Sequence, residues 1–301
     1  RMATSILLAA PADSEARGVE RIRSFVEAWY VALAEADRAP IEEAPSCRPA
    51  RALLKTAADS GRVAWLDKRV ESDAKRRQFK RSDTYQRVVE PRLLASVVAG
   101  VRAFAAESDC AGGDDWPQVL DVAARVAGTG SLGRFRWAIL IAGKSQKLGK
   151  ERVLELKEAR PAWLEPHDER DPAEHVTSFQ RVLQGAPPRY LGVAHVEVGG
   201  LRVACTVREL QPSEAKVDTS KLKHDGLDSL VITCGTALGR LHGRGAGQRP
   251  SARADISKTL ADSVAAYAVR YAERVVADHE RLRKQREQVA LALGLTPGDP
   301  P

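Results

Sequence analysis

The chain has 301 residues, 44% of them hydrophobic and 29% charged, and carries a net charge of +7. That is the composition of a folded globular protein with one large domain or two small ones. No apolar run approaches the roughly 20 residues of a membrane helix, and a positive excess this thinly spread argues against nucleic acid as the main partner.

The first 120 residues read as helical. Met2 to Ala12 is short and apolar, and reads as a buried amphipathic helix end, not a leader; the start at Arg1 suggests a trimmed chain or a piece of a longer reading frame. From Ser14 to Asp37 there is no proline, and Val19, Ile22, Val26, Trp29, Tyr30 and Leu33 form one stripe at helical spacing. Pro40 and Pro45 punctuate a loop. Ala50 to Arg81 holds a further helical piece and then a basic run, and Pro91 to Glu107 is another amphipathic helix.

The pattern changes near residue 121. Strands are predicted at Asp121 to Val126, Phe135 to Ile141, Arg152 to Ala159, Tyr190 to Val198 and Leu201 to Leu210, with a helix over 172–185. Gly199-Gly200 between the last two strands signals a hairpin. Beyond 221 the chain is helical again, from Asp225 to His242. Ile256 to Leu293 follows, with Leu260, Val264, Tyr267, Tyr271, Val275 and Leu282 on one stripe. The expected organisation is α+β: a helical segment over 1–120, a five-stranded antiparallel sheet with one inserted helix over 121–212, and a helical segment over 213–301.

Between the first two strands lies Gly128-Thr129-Gly130-Ser131-Leu132-Gly133. In a dinucleotide-binding fold the third glycine of G-x-G-x-x-G opens a helix. Here it opens a strand, which is the arrangement of a kinase glycine loop. Gly128, Gly130, Ser131 and Gly133 are therefore candidates to cover a triphosphate, because backbone without Cβ atoms approaches phosphate closely. Lys157, near the end of the third strand, sits where a kinase places the lysine that neutralises nucleotide phosphates. Arg208, Glu209 and Gln211 end the fifth strand, where a hinge would hold the adenine edge through its backbone. The plainer alternatives are a tight twisted turn for the loop and a solvated edge position for Lys157. Glu155, on the same strand face, could pair with that lysine for structural reasons alone.

Five stretches carry a family resemblance: VAGTGSLGRFRWAILI (126–141), LELKEA (154–159), PRYLGV (188–193), VRELQPSEAKVD (207–218) and ALGRLHGRG (237–245). Together they resemble the bacterial family DUF2252, which is similar to aminoglycoside phosphotransferases and protein kinases. The resemblance implies a circularly permuted kinase-like fold. In it, a G-D-x-H-x-x-N catalytic segment and an Asp-Phe-Asp metal segment precede the glycine loop, and the large lobe is split between the chain ends. Arg1-Met2-Ala3-Thr4-Ser5-Ile6-Leu7-Leu8 looks like the helix that follows the acidic segment.

The expected function is the nucleotide-binding portion of a phosphotransferase. Its cofactor is ATP, with Mg²⁺ only where the acidic segment is present. The acceptor is an unspecified small molecule or protein, and this stretch alone is expected to be inactive. The alternative is a non-catalytic nucleotide-binding or protein-interaction module. No catalytic or metal-binding residue is assigned.

The remaining signals are weaker. Glu174 and Gln180 lie on the helix after the third strand, where a kinase lysine finds its glutamate. His242-Gly243-Arg244 imitates a catalytic loop, but arginine stands where a base is needed. Gly112-Gly113-Asp114-Asp115 lacks the metal-site pattern, and Glu214 and Asp218 read as a solvated loop. Lys68 to Arg81 holds seven basic residues but one aromatic, Phe79, which suits a solvated or phosphate-facing surface. Cys47, Cys110, Cys205 and Cys234 are far apart with no metal-ligand spacing, so a reducing cytoplasm is expected.

Overall fold

The structure is a computed structural model that describes residues 1–9, 13–35, 47–59, 61–73, 76–107, 118–131, 133–143, 150–161, 169–184, 188–211, 217–245 and 254–292. The chain forms two compact units, Arg1–Ala52 with Val217–Pro301, and Leu53–Lys216. The helix α3 (Arg48–Ala58) carries the chain from the first into the second.

The first unit is helical: α1 (Met2–Leu8), α2 (Glu15–Leu33), α7 (His224–Gly245), α8 (Ala254–Lys284) and α9 (Arg286–Ala292). Ser14 starts α2 by accepting the Arg17 N–H on its hydroxyl at 3.3 Å, satisfying one of the amides a helix start leaves unpaired. Ile22, Phe25, Val26 and Tyr30 then bury along one face. Glycines let α7 lie close to it. A Cβ at Gly235 would sit 2.5 Å from the Phe25 carbonyl oxygen, and one at Gly239 would sit 2.2 Å from that of Trp29. Because both obstacles are backbone, Gly239→Ala should cost about 1–3 kcal/mol of overpacking, read as a lowered urea midpoint with an unchanged slope.

On α8 the buried line is Ala261, Ala265 and Ala268, flanked by half-buried Leu260 and Val264. The apolar stripe expected there holds at Leu260 and Val264, but Tyr267 and Tyr271 stack at 5.8 Å on the exposed side, and Leu282 is exposed as well. Close helix packing selects alanine for the contact face, where a tyrosine ring would hold the helices apart.

The second unit is built on a six-stranded antiparallel sheet in the order β3-β4-β5-β6-β8-β7. The strands are β3 (Tyr85–Arg87), β4 (Val119–Arg125), β5 (Arg136–Ile141), β6 (Arg152–Glu158), β7 (Gly192–Val198) and β8 (Leu201–Leu210). Helix α6 (Pro172–Gln184) lies between β6 and β7 in sequence. The β7–β8 hairpin turns on Gly199 and Gly200, with φ of 57° and 81°, the left-handed values that a two-residue hairpin needs.

The expected count of five strands is corrected by β3, and the stretch read as helical around it also holds a separate ribbon. There β1 (Val70–Asp73) pairs with β2 (Arg76–Phe79). The interspersed basic residues hide the alternation, but Val70, Phe79 and Tyr85 are buried, and Phe79 stacks on Tyr85 at 5.1 Å. The helix α4 (Arg62–Asp67) precedes the ribbon.

The two faces of the sheet differ. One carries a large apolar cluster, with Trp137, Ile139, Leu154, Leu156 and Val207 packed with Val97, Val101 and Phe104 of α5 (Pro91–Glu107). On the other face only one end is apolar: Ala138, Leu140, Val153 and Leu210 meet Leu66, Val70, Phe79 and Tyr85. The far end of that face, beside the glycine loop, is charged.

Candidate functional site

The loop of residues 126–135 joins β4 to β5, two paired antiparallel strands. Its centre is a single 3₁₀ turn over Thr129–Ser131. Ser131 donates its N–H to the Gly128 carbonyl at 2.9 Å, and Arg134 donates to that of Ser131 at 3.2 Å. Gly128 and Gly133 have φ of 76° and 74°, so the backbone itself calls for glycine at both. Gly130 is different: its φ is not in that range, and a Cβ there would meet nothing within 4 Å among the described residues. The fold does not demand glycine at 130, and the space beside it is open. Gly130→Ala should therefore leave stability within about 0.5 kcal/mol, while a ligand seated on the loop would bind at least roughly tenfold more weakly.

One end of the loop is tied to β6 and the other to β5. The Phe135 N–H donates to Glu158 Oε2 at 2.8 Å, and the Arg136 guanidinium donates to the Ala127 carbonyl. The same Arg136 reaches Glu155, whose side chain is wholly buried. Strand register accounts for the meeting: Ala138 and Arg208 flank Glu155 on the neighbouring strands, and Arg136 and Thr206 flank Lys157.

Glu155 thus accepts from three guanidinium groups: Arg125, Arg136 (Nε at 3.1 Å) and Arg208 (Nε at 2.9 Å). Burial opposes its ionisation, but the charges of Arg125, Arg208 and Arg136 outweigh that and hold its carboxyl below the usual carboxylate range.

Lys157 stands at the edge of this cluster, half-buried. Burial and then the Arg136 charge push its ammonium below the ordinary lysine value, with Glu155 pulling the other way. Arg208 and Arg134 lower it further. The cluster therefore sets four cations, Arg125, Arg136, Arg208 and Lys157, against one carboxylate, Glu155. Such a surplus beside open backbone suits an anion.

The other sequence-selected residues fall as follows. Ser131 lies in the 3₁₀ turn, half-buried. Glu209 is buried and ion-paired with Arg62 at 3.0 Å and Arg152 at 2.7 Å, so its side chain ties the sheet together. Gln211 is exposed directly after β8. Glu174 is exposed in the first turn of α6; the carboxylate acting most on Lys157 is Glu155. Asp171 caps α6, accepting from the N–H groups of Ala173 and Glu174 and bonding His195 at 2.7 Å.

His242, in the last turn of α7, accepts the Trp29 indole N–H on Nδ1 at 3.1 Å. Asp218 caps a short 3₁₀ turn and pairs with Lys221 at 3.0 Å. Gly112 to Asp115, Glu214 and Cys110 lie outside the described residues. In the basic run, Arg77 pairs with Glu151, Arg81 pairs with Asp121, and Arg69 stacks over Trp65, so much of that charge serves the fold. Cys205 is buried, and burial followed by the charges of Glu158 and Asp171 pushes its thiol up to about 12, which leaves it inert as a nucleophile.

The sequence alone placed Arg208 at the end of the fifth strand but did not group Arg125, Arg136 and Arg208 around Glu155. Their signal is strand parity: Arg136 and Arg208 fall on the same sheet face as Glu155 and Lys157 once the register is known.

A family model described as an uncharacterised protein conserved in bacteria, DUF2252, matches residues 1–285. The chain belongs to the DUF2252 family. No curated protein and no solved structure matches it. The glycine loop and the charged end of the sheet both lie within the DUF2252 match, as do both compact units up to residue 285. No helix among the described residues of this DUF2252 chain is long and apolar enough to cross a membrane.

Proposed function

We propose that the second unit binds the phosphates of ATP, and that this DUF2252 chain is the nucleotide-binding portion of a kinase-like phosphotransferase with a small-molecule or protein acceptor. The observation that carries this is the four-cation cluster around Glu155 and Lys157, set beside a loop whose Gly130 faces open space. The order β4, glycine loop, β5, β6 with its lysine, then α6, β7 and β8 supports it, since a kinase small lobe presents the same succession.

Lys157 and the arginines would meet the phosphate oxygens, and the loop amides would cover them. Arg136 connects the two parts, because it holds both Glu155 and the Ala127 carbonyl at the loop entrance. Among the described residues no three His, Cys, Asp or Glu side chains gather to hold a metal ion, and no residue of this chain is assigned to Mg²⁺.

Equilibrium titration with ATP, ADP and AMP tests the phosphate assignment. Affinity should fall in that order, with a salt dependence that steepens with phosphate number. Equal affinities would move the ligand's contacts off the cation cluster, and no binding of any of the three would remove the nucleotide from the proposal.

A further inference from the structure

The lysine of the cation cluster is not equivalent to its arginines. Arg125, Arg136 and Arg208 all donate to Glu155, whereas Lys157 makes no ion pair and no side-chain hydrogen bond among the described residues. Lys157 is only half-buried, so its amine is within reach of solvent. Strand register places Arg136 directly opposite it on β5, where facing side chains stand about 5 Å apart and like charges repel. Arg134 is exposed on the glycine loop and acts on Lys157 with the same sign. It too has no ion pair among the described residues. Lys157 and Arg134 are therefore cations without a carboxylate of their own.

Such a surround gives the lysine two properties at once. An amine pressed by neighbouring cations gives up its proton more readily, and a lysine beside another cationic group is a common form of the amine nucleophile. The same cations attract phosphate. An acyl phosphate meets both properties: its carbonyl carbon suits the amine, and its phosphate suits Arg134 and the guanidinium groups. Those groups also stabilise the negative charge that develops on the phosphate as it leaves. The amide that remains is neutral, so acylation removes the repulsion between Lys157 and Arg136.

We propose that Lys157 is a site of acylation by small acyl phosphates, and that the modification shuts the phosphate site of the second unit. The unprotonated amine attacks the carbonyl carbon. A C–N bond forms, the bond from that carbon to the phosphate oxygen breaks, and phosphate leaves with the electron pair. The proton lost by the nitrogen passes to the phosphate or to water. This chemistry rests on the phosphate site proposed above, though not on that phosphate belonging to a nucleotide.

The test treats the full chain with acetyl phosphate and follows acetylation of each lysine by peptide mass spectrometry. Acetic anhydride, which carries no phosphate, is the control reagent. Lys157 should react with acetyl phosphate at least roughly tenfold faster than the exposed Lys223 and Lys258. Its rate should saturate with reagent, and inorganic phosphate should slow it. With acetic anhydride the preference for Lys157 should shrink by about fivefold or more. A Lys157 no faster than the exposed lysines, or preferred equally by both reagents, would show that the cations do not guide the reagent and would overturn the proposal. Calorimetric titration of the untreated chain with ATP separates this outcome from the nucleotide reading. Selective acetylation without ATP binding upholds the acylation site and removes the nucleotide, whereas ATP binding without selective acetylation overturns the acylation site alone. Where both occur, the chain acetylated at Lys157 should bind ATP at least roughly tenfold more weakly, and an unchanged affinity would overturn the shutting of the site.

Discussion

Glu155→Gln should lower the stability of the sheet unit by about 3–5 kcal/mol, the usual cost of removing one partner from a buried ion pair. The carboxylate is fully buried, and the side chains of Arg125 and Arg136 are only 16% and 8% exposed, so water cannot take its place. Arg208 is 44% exposed and contributes least. Urea denaturation followed by circular dichroism measures the change.

The pH dependence carries the same signature. The folded-state value of Glu155 is depressed, so the stability it contributes is fully present above the unfolded glutamate value of about 4.3. That contribution is lost as pH falls through the lower folded value. The wild-type chain should lose stability in that acid window, and the glutamine variant should lose less there. The variant should bind ATP at least as well as the parent, because removing the carboxylate leaves three guanidinium groups uncompensated. A stability loss with a parallel loss of ATP affinity would make Glu155 part of the ligand site instead of its support.

Lys157→Met should do the reverse. Its ammonium group is held at a cost in the free protein, because burial and Arg136 both disfavour the charge. Replacing it with an apolar stem of similar length should leave stability unchanged or slightly raised. ATP affinity should fall by about 2 kcal/mol, roughly 30-fold.

The sign of the pH effect follows. A lysine whose folded value is depressed holds stability back while it is charged. That stability returns as pH rises through the interval between the depressed value and the unfolded lysine value of about 10.4. ATP binding by the parent should weaken over the same alkaline interval, whereas binding by the methionine variant should show no such step. Equal ATP affinity in parent and variant would remove Lys157 from the site.

Much of the sheet unit was legible in the sequence because its strands are punctuated. Gly199-Gly200 marks a hairpin and adopts the left-handed angles that such a hairpin needs, and the glycine loop joins two strands as its alternation indicated. Strand β3 and the ribbon were not legible, since three- and four-residue strands rich in charged residues give too short an alternation to separate from a solvated helix. The α8 contact face was misjudged for a different reason: Ala261, Ala265 and Ala268 are selected by how closely the helices approach, a property of the partner.

At the candidate site, Lys157 and the glycines stood out because their residue types are chemically specific. Arg125, Arg136 and Arg208 come from three different strands, so only the register assembles them around Glu155.

The most direct measurement is amide hydrogen exchange of the full chain with and without saturating ATP. Protection should rise in the loop of residues 126–135 and along the β5–β6 ladder around Arg136 and Lys157, and Lys157→Met should remove that protection at the same ATP concentration. Saturable binding that protects other segments and leaves this loop unchanged would contradict the assignment of the phosphate site.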